Sequence, residues 1–298
     1  MLFIDQLLKD RHTRLKFNGY MSDWVGVDNS IVQGDPLSMI LYLFYNADLI
    51  DNTKKGEAKI AYVDDANYYV EGSSFKEAYD KLRDMMSREG GGQDWSRWHN
   101  LWFEASKLTL VGFSRRCAPD PACPGKLMPE PRPDFTLGTD TVKLATSHKF
   151  LGVLFDQELH WKEQAERVVA KATKWSLCAR RLARHATGIS PRQMWQLYQA
   201  VAVPSFMYAV DVWFTPVDRT MGGQVAKGLV GTARKLRSVQ WITTMAITGA
   251  LRTSATDVME VHAILWPIEL LFHRICHRAT LQLTAILESH PLTRQYGQ

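Results

Sequence analysis

Two adjacent carboxylates, Asp64 and Asp65, sit between the apolar, β-prone runs Lys59-Ile60-Ala61-Tyr62-Val63 and Ala66-Asn67-Tyr68-Tyr69-Val70. Flanking strands joined at an acidic pair predict a β-hairpin with Asp64-Asp65 at its tip. Paired acids at an exposed tip repel each other and desolvate poorly, so a fold keeps them mainly for a cation. Hard oxygen ligands suit Mg²⁺, and Mg²⁺ beside phosphates points to phosphoryl transfer. Upstream, Gln33-Gly34-Asp35-Pro36-Leu37-Ser38 leads into the apolar stretch Pro36–Ile50, which reads as a core helix with Pro36 in its first turn. Asp35 at that helix start would cap orphan N–H groups and complement the dipole.

The Gln33–Ser38 segment, the Ala61–Asp65 segment and the 31-residue step from Gln33 to Asp64 together resemble the palm of reverse transcriptases. The likeness is closest to the polymerases of non-LTR (LINE-type) retrotransposons, of the kind found in fungal genomes. Further segments follow in family order. Trp98-His99-Asn100 through Phe103-Glu104-Ala105-Ser106-Lys107, then Gly112-Phe113-Ser114-Arg115-Arg116, is similar to the fourth palm motif. His148-Lys149-Phe150-Leu151-Gly152-Val153 is similar to the fifth, the primer grip, and the chain from about Asp156 to Trp213 resembles the thumb.

The resemblance implies an α+β fold: a partial palm of antiparallel strands with packed helices over 1–156, then an all-helical thumb and extension over 157–298. It implies an RNA-directed DNA polymerase that uses Mg²⁺ (or Mn²⁺), an RNA template, a DNA primer and deoxynucleotides, with a nuclear location. Asp64 and Asp65 would bind metal. Gln33, Gly34 and Tyr62 would touch the template–nucleotide pair, and Phe150, Leu151 and Gly152 the primer end. Arg167, Lys171, Lys174, Arg180, Arg181 and Arg184 would meet the duplex backbone. Lys107 has two readings: a general acid near the pyrophosphate, or a surface lysine at a strand start.

One departure bears on activity. The family's first catalytic Asp follows an apolar strand upstream of the Gln-Gly-Asp-Pro segment, and none of Asp5, Asp10, Asp23 or Asp28 sits in that pattern. The expectation is an N-terminally truncated palm. Neighbouring side chains on a strand point to opposite faces, so Asp64 and Asp65 need a third carboxylate to share two ions about 4 Å apart. Little or no polymerisation by the chain alone is expected, with an open sheet edge, exposed apolar surface and a tendency to associate. The rival reading is a non-catalytic nucleic-acid-binding remnant.

Charge supports a polyanion partner. The net charge is +5, but residues 1–150 carry 19 basic and 21 acidic side chains, and residues 151–298 carry 17 and 10. Within 167–252 there are 13 basic residues against only Asp211 and Asp218, a polyanion-binding footprint. There is no uncharged apolar run long enough for a membrane span, and Asp5 interrupts any signal-peptide pattern at the N-terminus. The four scattered cysteines fit free thiols in a reducing compartment. His273, Cys276 and His277 share a helical face, which suits zinc or, more simply, ordinary helix packing.

Hydrophobic spacing and Gly/Pro punctuation give the remaining expectations. Helices are expected over Phe3–Arg11, Ser74–Arg88, Asp94–Phe103, Trp161–Ala186, Pro191–Trp213, Gly222–Thr248 and Thr256–Glu288, the last broken at Pro267. Strands are expected at Lys107–Phe113 and Phe150–Phe155, and a hairpin over Phe135–Leu144 turning at Gly138-Thr139-Asp140. The Pro-rich stretch Arg115–Arg132 is expected to be irregular.

Overall fold

The computed structural model describes residues 2–27, 31, 34–183, 188–215 and 229–286. It mixes helices with small antiparallel sheets. Helix α1 (Leu2–Leu8) is followed by two short antiparallel pairs. Strand β1 (His12–Thr13) pairs with β4 (Val25–Gly26), and β2 (Lys16–Phe17) with β3 (Tyr20–Met21). Helix α2 (Pro36–Tyr45) is capped by Asp35, whose Oδ1 accepts from the Leu37 N–H at 2.8 Å. It stops short of Ile50: Asn46 caps it, and a single 3-10 turn, Ala47–Ile50, follows.

Strands β5 (Glu57–Tyr62) and β6 (Asp65–Val70) form the expected hairpin, in register from Glu57↔Val70 to Tyr62↔Asp65. Ser74 caps α3 (Phe75–Ser87), its Oγ accepting from the Glu77 N–H, and α4 (Gly92–Trp98) follows the glycine run. Only Thr109–Leu110 of the expected Lys107–Phe113 strand is extended (β7). The Pro-rich stretch is more regular than its composition suggests. Strand β8 (Cys117–Pro119) pairs with β9 (Leu127–Pro129), and two of the prolines, Pro119 and Pro129, occupy the end pairs of an isolated ladder, where a missing N–H costs least. Strands β10 (Phe135–Leu137) and β11 (Asp140–Leu144) turn at Gly138-Thr139 as expected and join β7 in a three-stranded sheet.

The Phe150–Phe155 run is not one strand. It is the end of β12 (Ser147–Phe150), a turn, and the start of β13 (Val153–Asp156). Leu151 and Gly152 both take left-handed φ, 45° and 85°, as a type I′ hairpin turn requires.

Beyond residue 157 the described chain is helical. Helix α5 (Lys162–Leu182) starts where Asp156 accepts from the backbone N–H groups of Glu158, His160 and Trp161. The stretch expected as one helix from Pro191 to Trp213 is interrupted twice. Helix α6 (Pro191–Leu197), with a Ser190/Gln193 capping box, passes through a π turn, Tyr198–Ala202, into α7 (Val203–Phe206). Pro204 has no N–H for the carbonyl four residues back, and the wider turn accommodates it. Ala209, at φ 55°, then breaks the helix before α8 (Val210–Trp213). Helix α9 (Val230–Thr248) ends on left-handed Gly249. Helices α10 (Thr256–His262) and α11 (Ile268–Thr284) are separated at Pro267 as expected.

By contacts the chain divides into two compact units, residues 1–110 with 132–143, and 111–131 with 144–298. The primer-grip-like hairpin thus belongs to the unit that holds the helices α5–α11. The first unit buries Leu49, Tyr79, Met85, Met86, Trp95, Phe135 and Val142. Arg88 locks it, its guanidinium meeting both Glu57 carboxylate oxygens at 2.7 and 2.9 Å. The second unit has a continuous core drawn from α5 to α11, with Val210, Trp213 and Phe272 fully buried.

Candidate functional site

The acidic tip is built by strand alternation. Residues Lys59, Ala61 and Tyr68 lie on the covered face of the β5–β6 hairpin, while Ile60, Tyr62, Asp65 and Tyr69 are exposed on the other. Burial pushes the Tyr68 phenol up to about 12, and its hydroxyl has no partner among the described residues. Burial also lowers the Lys59 ammonium, which donates to the Asp51 carbonyl at 2.6 Å.

Val63-Asp64 forms the two-residue turn, so Asp64 stands in the turn and Asp65 opens β6. Both are exposed. Neither carboxylate makes a hydrogen bond or ion pair among the described residues. Val63 takes φ 57°, a costly conformation for a β-branched side chain. One contact holds this turn: Asn46, buried at the end of α2, donates its Nδ2–H to the Val63 carbonyl at 3.1 Å. The helix that starts at the Gly-Asp-Pro segment therefore ends on the Asp64-Asp65 turn. Sequence reasoning missed Asn46, because nothing local marks a contact across 17 residues.

Gly34 is exposed at φ 95°, and a Cβ there would meet open space. Gln33 lies outside the described residues. Tyr62 is exposed across the ladder from Asp65. Lys107 ends a 3-10 turn rather than starting a strand. Its ammonium pairs with Glu104 in solvent, and that hydrogen bond raises its pKa.

In the second unit the Leu151-Gly152 turn is gripped twice. The Tyr208 hydroxyl donates to the Leu151 carbonyl at 2.9 Å, and an Arg167 Nη1–H to the Gly152 carbonyl at 3.3 Å. A Cβ on Gly152 would come within 3.2 Å of the Tyr208 ring, so the ring covers the glycine. Tyr208 is the second functional candidate that no sequence pattern announced. Phe150 is half-buried, and Leu151 is exposed at the turn.

Arg167, Lys171, Lys174 and Arg181 are exposed on α5. At roughly 100° per residue they fall in one stripe, whereas Arg180 lies more than a quarter-turn away from it. None of the five is ion-paired among the described residues, and Arg184 lies outside them. On α11, His273 and His277 are exposed, while Cys276 packs against the core with its thiol pushed up, first by burial and then by the Asp211 charge.

Comparison with family models, with curated proteins and with solved structures finds no match to the chain.

The Asp64-Asp65 oxygens are hard, exposed and unpaired. They suit one Mg²⁺ that keeps waters or phosphate oxygens as its other ligands. Among the described residues no group of three or more His, Cys, Asp or Glu could hold an ion. A pair of ions sharing protein ligands therefore does not fit the described residues on their own. No described helix is long and apolar enough to cross a membrane.

Proposed function

We propose that this chain is the palm-and-thumb part of an RNA-directed DNA polymerase of the retrotransposon type, which grips nucleic acid but extends primers weakly or not at all by itself. The observation that carries this reading is the acidic tip. Two exposed, unpartnered carboxylates stand on a strained turn, and the helix of the Gly34-Asp35-Pro36 segment holds that turn through Asn46. Strain maintained at an exposed polar tip is a feature of functional sites. In this reading Asp64 and Asp65 hold Mg²⁺ against the nucleotide phosphates, and the ion offsets charge developing on the transferring group. Gly34 and Tyr62 lie toward the template–nucleotide pair. The Leu151-Gly152 turn, fixed by Tyr208 and Arg167, supports the primer end, and Lys171, Lys174 and Arg181 meet backbone phosphates. RNA template, DNA primer and deoxynucleotides are the implied partners.

A second reading, nucleic-acid binding without catalysis, is favoured by the cationic stripe, which has no ion pairs among the described residues. One experiment separates the two. Primer extension on an RNA template with Mg²⁺ is measured beside an Asp64→Ala/Asp65→Ala control, with duplex titrations at two salt concentrations. Weak extension abolished in the control supports the polymerase. Salt-dependent binding without extension, unchanged in the control, supports the binding module. Absence of binding at both salts overturns both.

A further inference from the structure

The ends of α5 and α9 border an open cleft of about 460 Å³, lined by Arg180, Ala183, Trp241, Ile242, Met245 and Arg252, among others. We infer that it receives one unpaired nucleotide of a bound single strand, the base against Trp241 and its phosphodiester held by Arg180 and Arg252. This rests on the proposed grip on nucleic acid and adds a discrimination that the exposed stripe cannot provide.

The lining supplies each part of such a ligand. Among the described residues no carboxylate lines the cleft. The indole of Trp241 is half-buried and its N–H makes no hydrogen bond among the described residues. Ile242, Met245 and Ala183 provide the apolar walls a base needs, and the volume lies within the ~300–1,000 Å³ range of small-ligand pockets. Arg180 is the α5 cation that leaves the stripe, and Arg252, also exposed, comes from beyond the end of α9. A planar guanidinium suits phosphate, and both are free of ion pairs among the described residues.

Charge fixes the class of ligand further. The carbonyl ends of α5 and α9 each contribute roughly half a negative charge. Against the two arginines, the described residues leave the cleft a net charge of about +1. One phosphodiester matches that balance, and a nucleoside triphosphate overfills it. A base paired in a duplex cannot enter an aromatic and aliphatic slot without leaving its stack, so the ligand is an unpaired nucleotide.

The test is fluorescence anisotropy on the full chain with three labelled probes of one length: a single strand, a blunt duplex and a strand of abasic sites. Trp241→Leu and Arg252→Gln should each weaken the single strand about tenfold, the scale of one lost base stack. Both should leave the blunt duplex within about twofold of wild type. Trp241→Phe should keep most single-strand affinity, and Trp241→Leu should bind the abasic strand as wild type does. Arg252 is exposed, so its substitution keeps the test valid if Trp241→Leu unfolds. Unchanged single-strand binding in Arg252→Gln, or equal losses on duplex and single strand, overturns the assignment while leaving the proposed grip standing. Failure of the wild type to bind any probe overturns both.

Discussion

Two hairpin tips in this chain carry two of the motif-like segments, and the protein holds them differently. At the β5–β6 tip, Val63 takes φ 57° and a single side chain, Asn46, reaches its carbonyl. At the β12–β13 tip, Leu151 takes φ 45°, yet both turn carbonyls are occupied, by Tyr208 and Arg167, and the Tyr208 ring lies over Gly152. The second unit has a continuous helical core. In the first, α2 exposes Met39, Ile40, Leu43 and Phe44, and the β5–β6 hairpin exposes Ile60, Tyr62 and Tyr69. The grip-like turn is thus built into a packed body, while the acidic tip depends on one polar contact.

The largest effects should separate the two units. Trp213 is fully buried beside Phe214 and Phe272, so Trp213→Ala should cost about 4 kcal/mol. Urea unfolding followed by hydrogen exchange should show the loss in α5–α11 and little change in α3. Equal loss of protection in both units would mean that they unfold as one body. Next, Arg88→Ala leaves the Glu57 carboxylate, 3% exposed, without its cation, at a cost of about 3 kcal/mol to the first unit. The Arg88 hydrogen bonds hold the Glu57 pKa below its ordinary 4.5. A depressed carboxylate stabilises the fold above its unfolded pKa. That contribution is present above about pH 4.5 and is lost as pH falls through the lower folded value. Acid titration of wild type should show this loss, and Arg88→Ala should flatten it.

What could be read in the sequence follows the range of the interactions. The β5–β6 hairpin, the Asp35 cap, the amphipathic α3 and the turn at Gly138-Thr139 were legible, because period, capping residue and turn residue all lie within a few positions. The Leu151-Gly152 turn was not. Phe150–Phe155 is apolar enough to read as one strand, and a left-handed leucine leaves no local signature. Pro204 and Ala209 divide a stretch whose composition favours one helix. At the candidate site the carboxylates were visible and their holders were not: Asn46 reaches across 17 residues and Tyr208 across 57.

Two smaller substitutions probe the acidic tip itself. Asn46→Ala removes the donor to the Val63 carbonyl from a buried position and should cost about 2 kcal/mol, read as lost protection in β5 and β6. Val63→Gly should do the opposite. In this two-residue turn φ is positive at the first central position, where glycine is the usual residue and valine is strained. Relieving that strain should stabilise the first unit by about 1 kcal/mol. The double variant is the sharper measurement. If Asn46 holds the turn against the strain of Val63, its loss should cost less in the Val63→Gly background, giving a coupling of about 0.5 kcal/mol or more. Strict additivity would mean that the turn keeps its shape without the clamp, and the contrast with the twice-gripped Leu151-Gly152 turn would lose its physical basis.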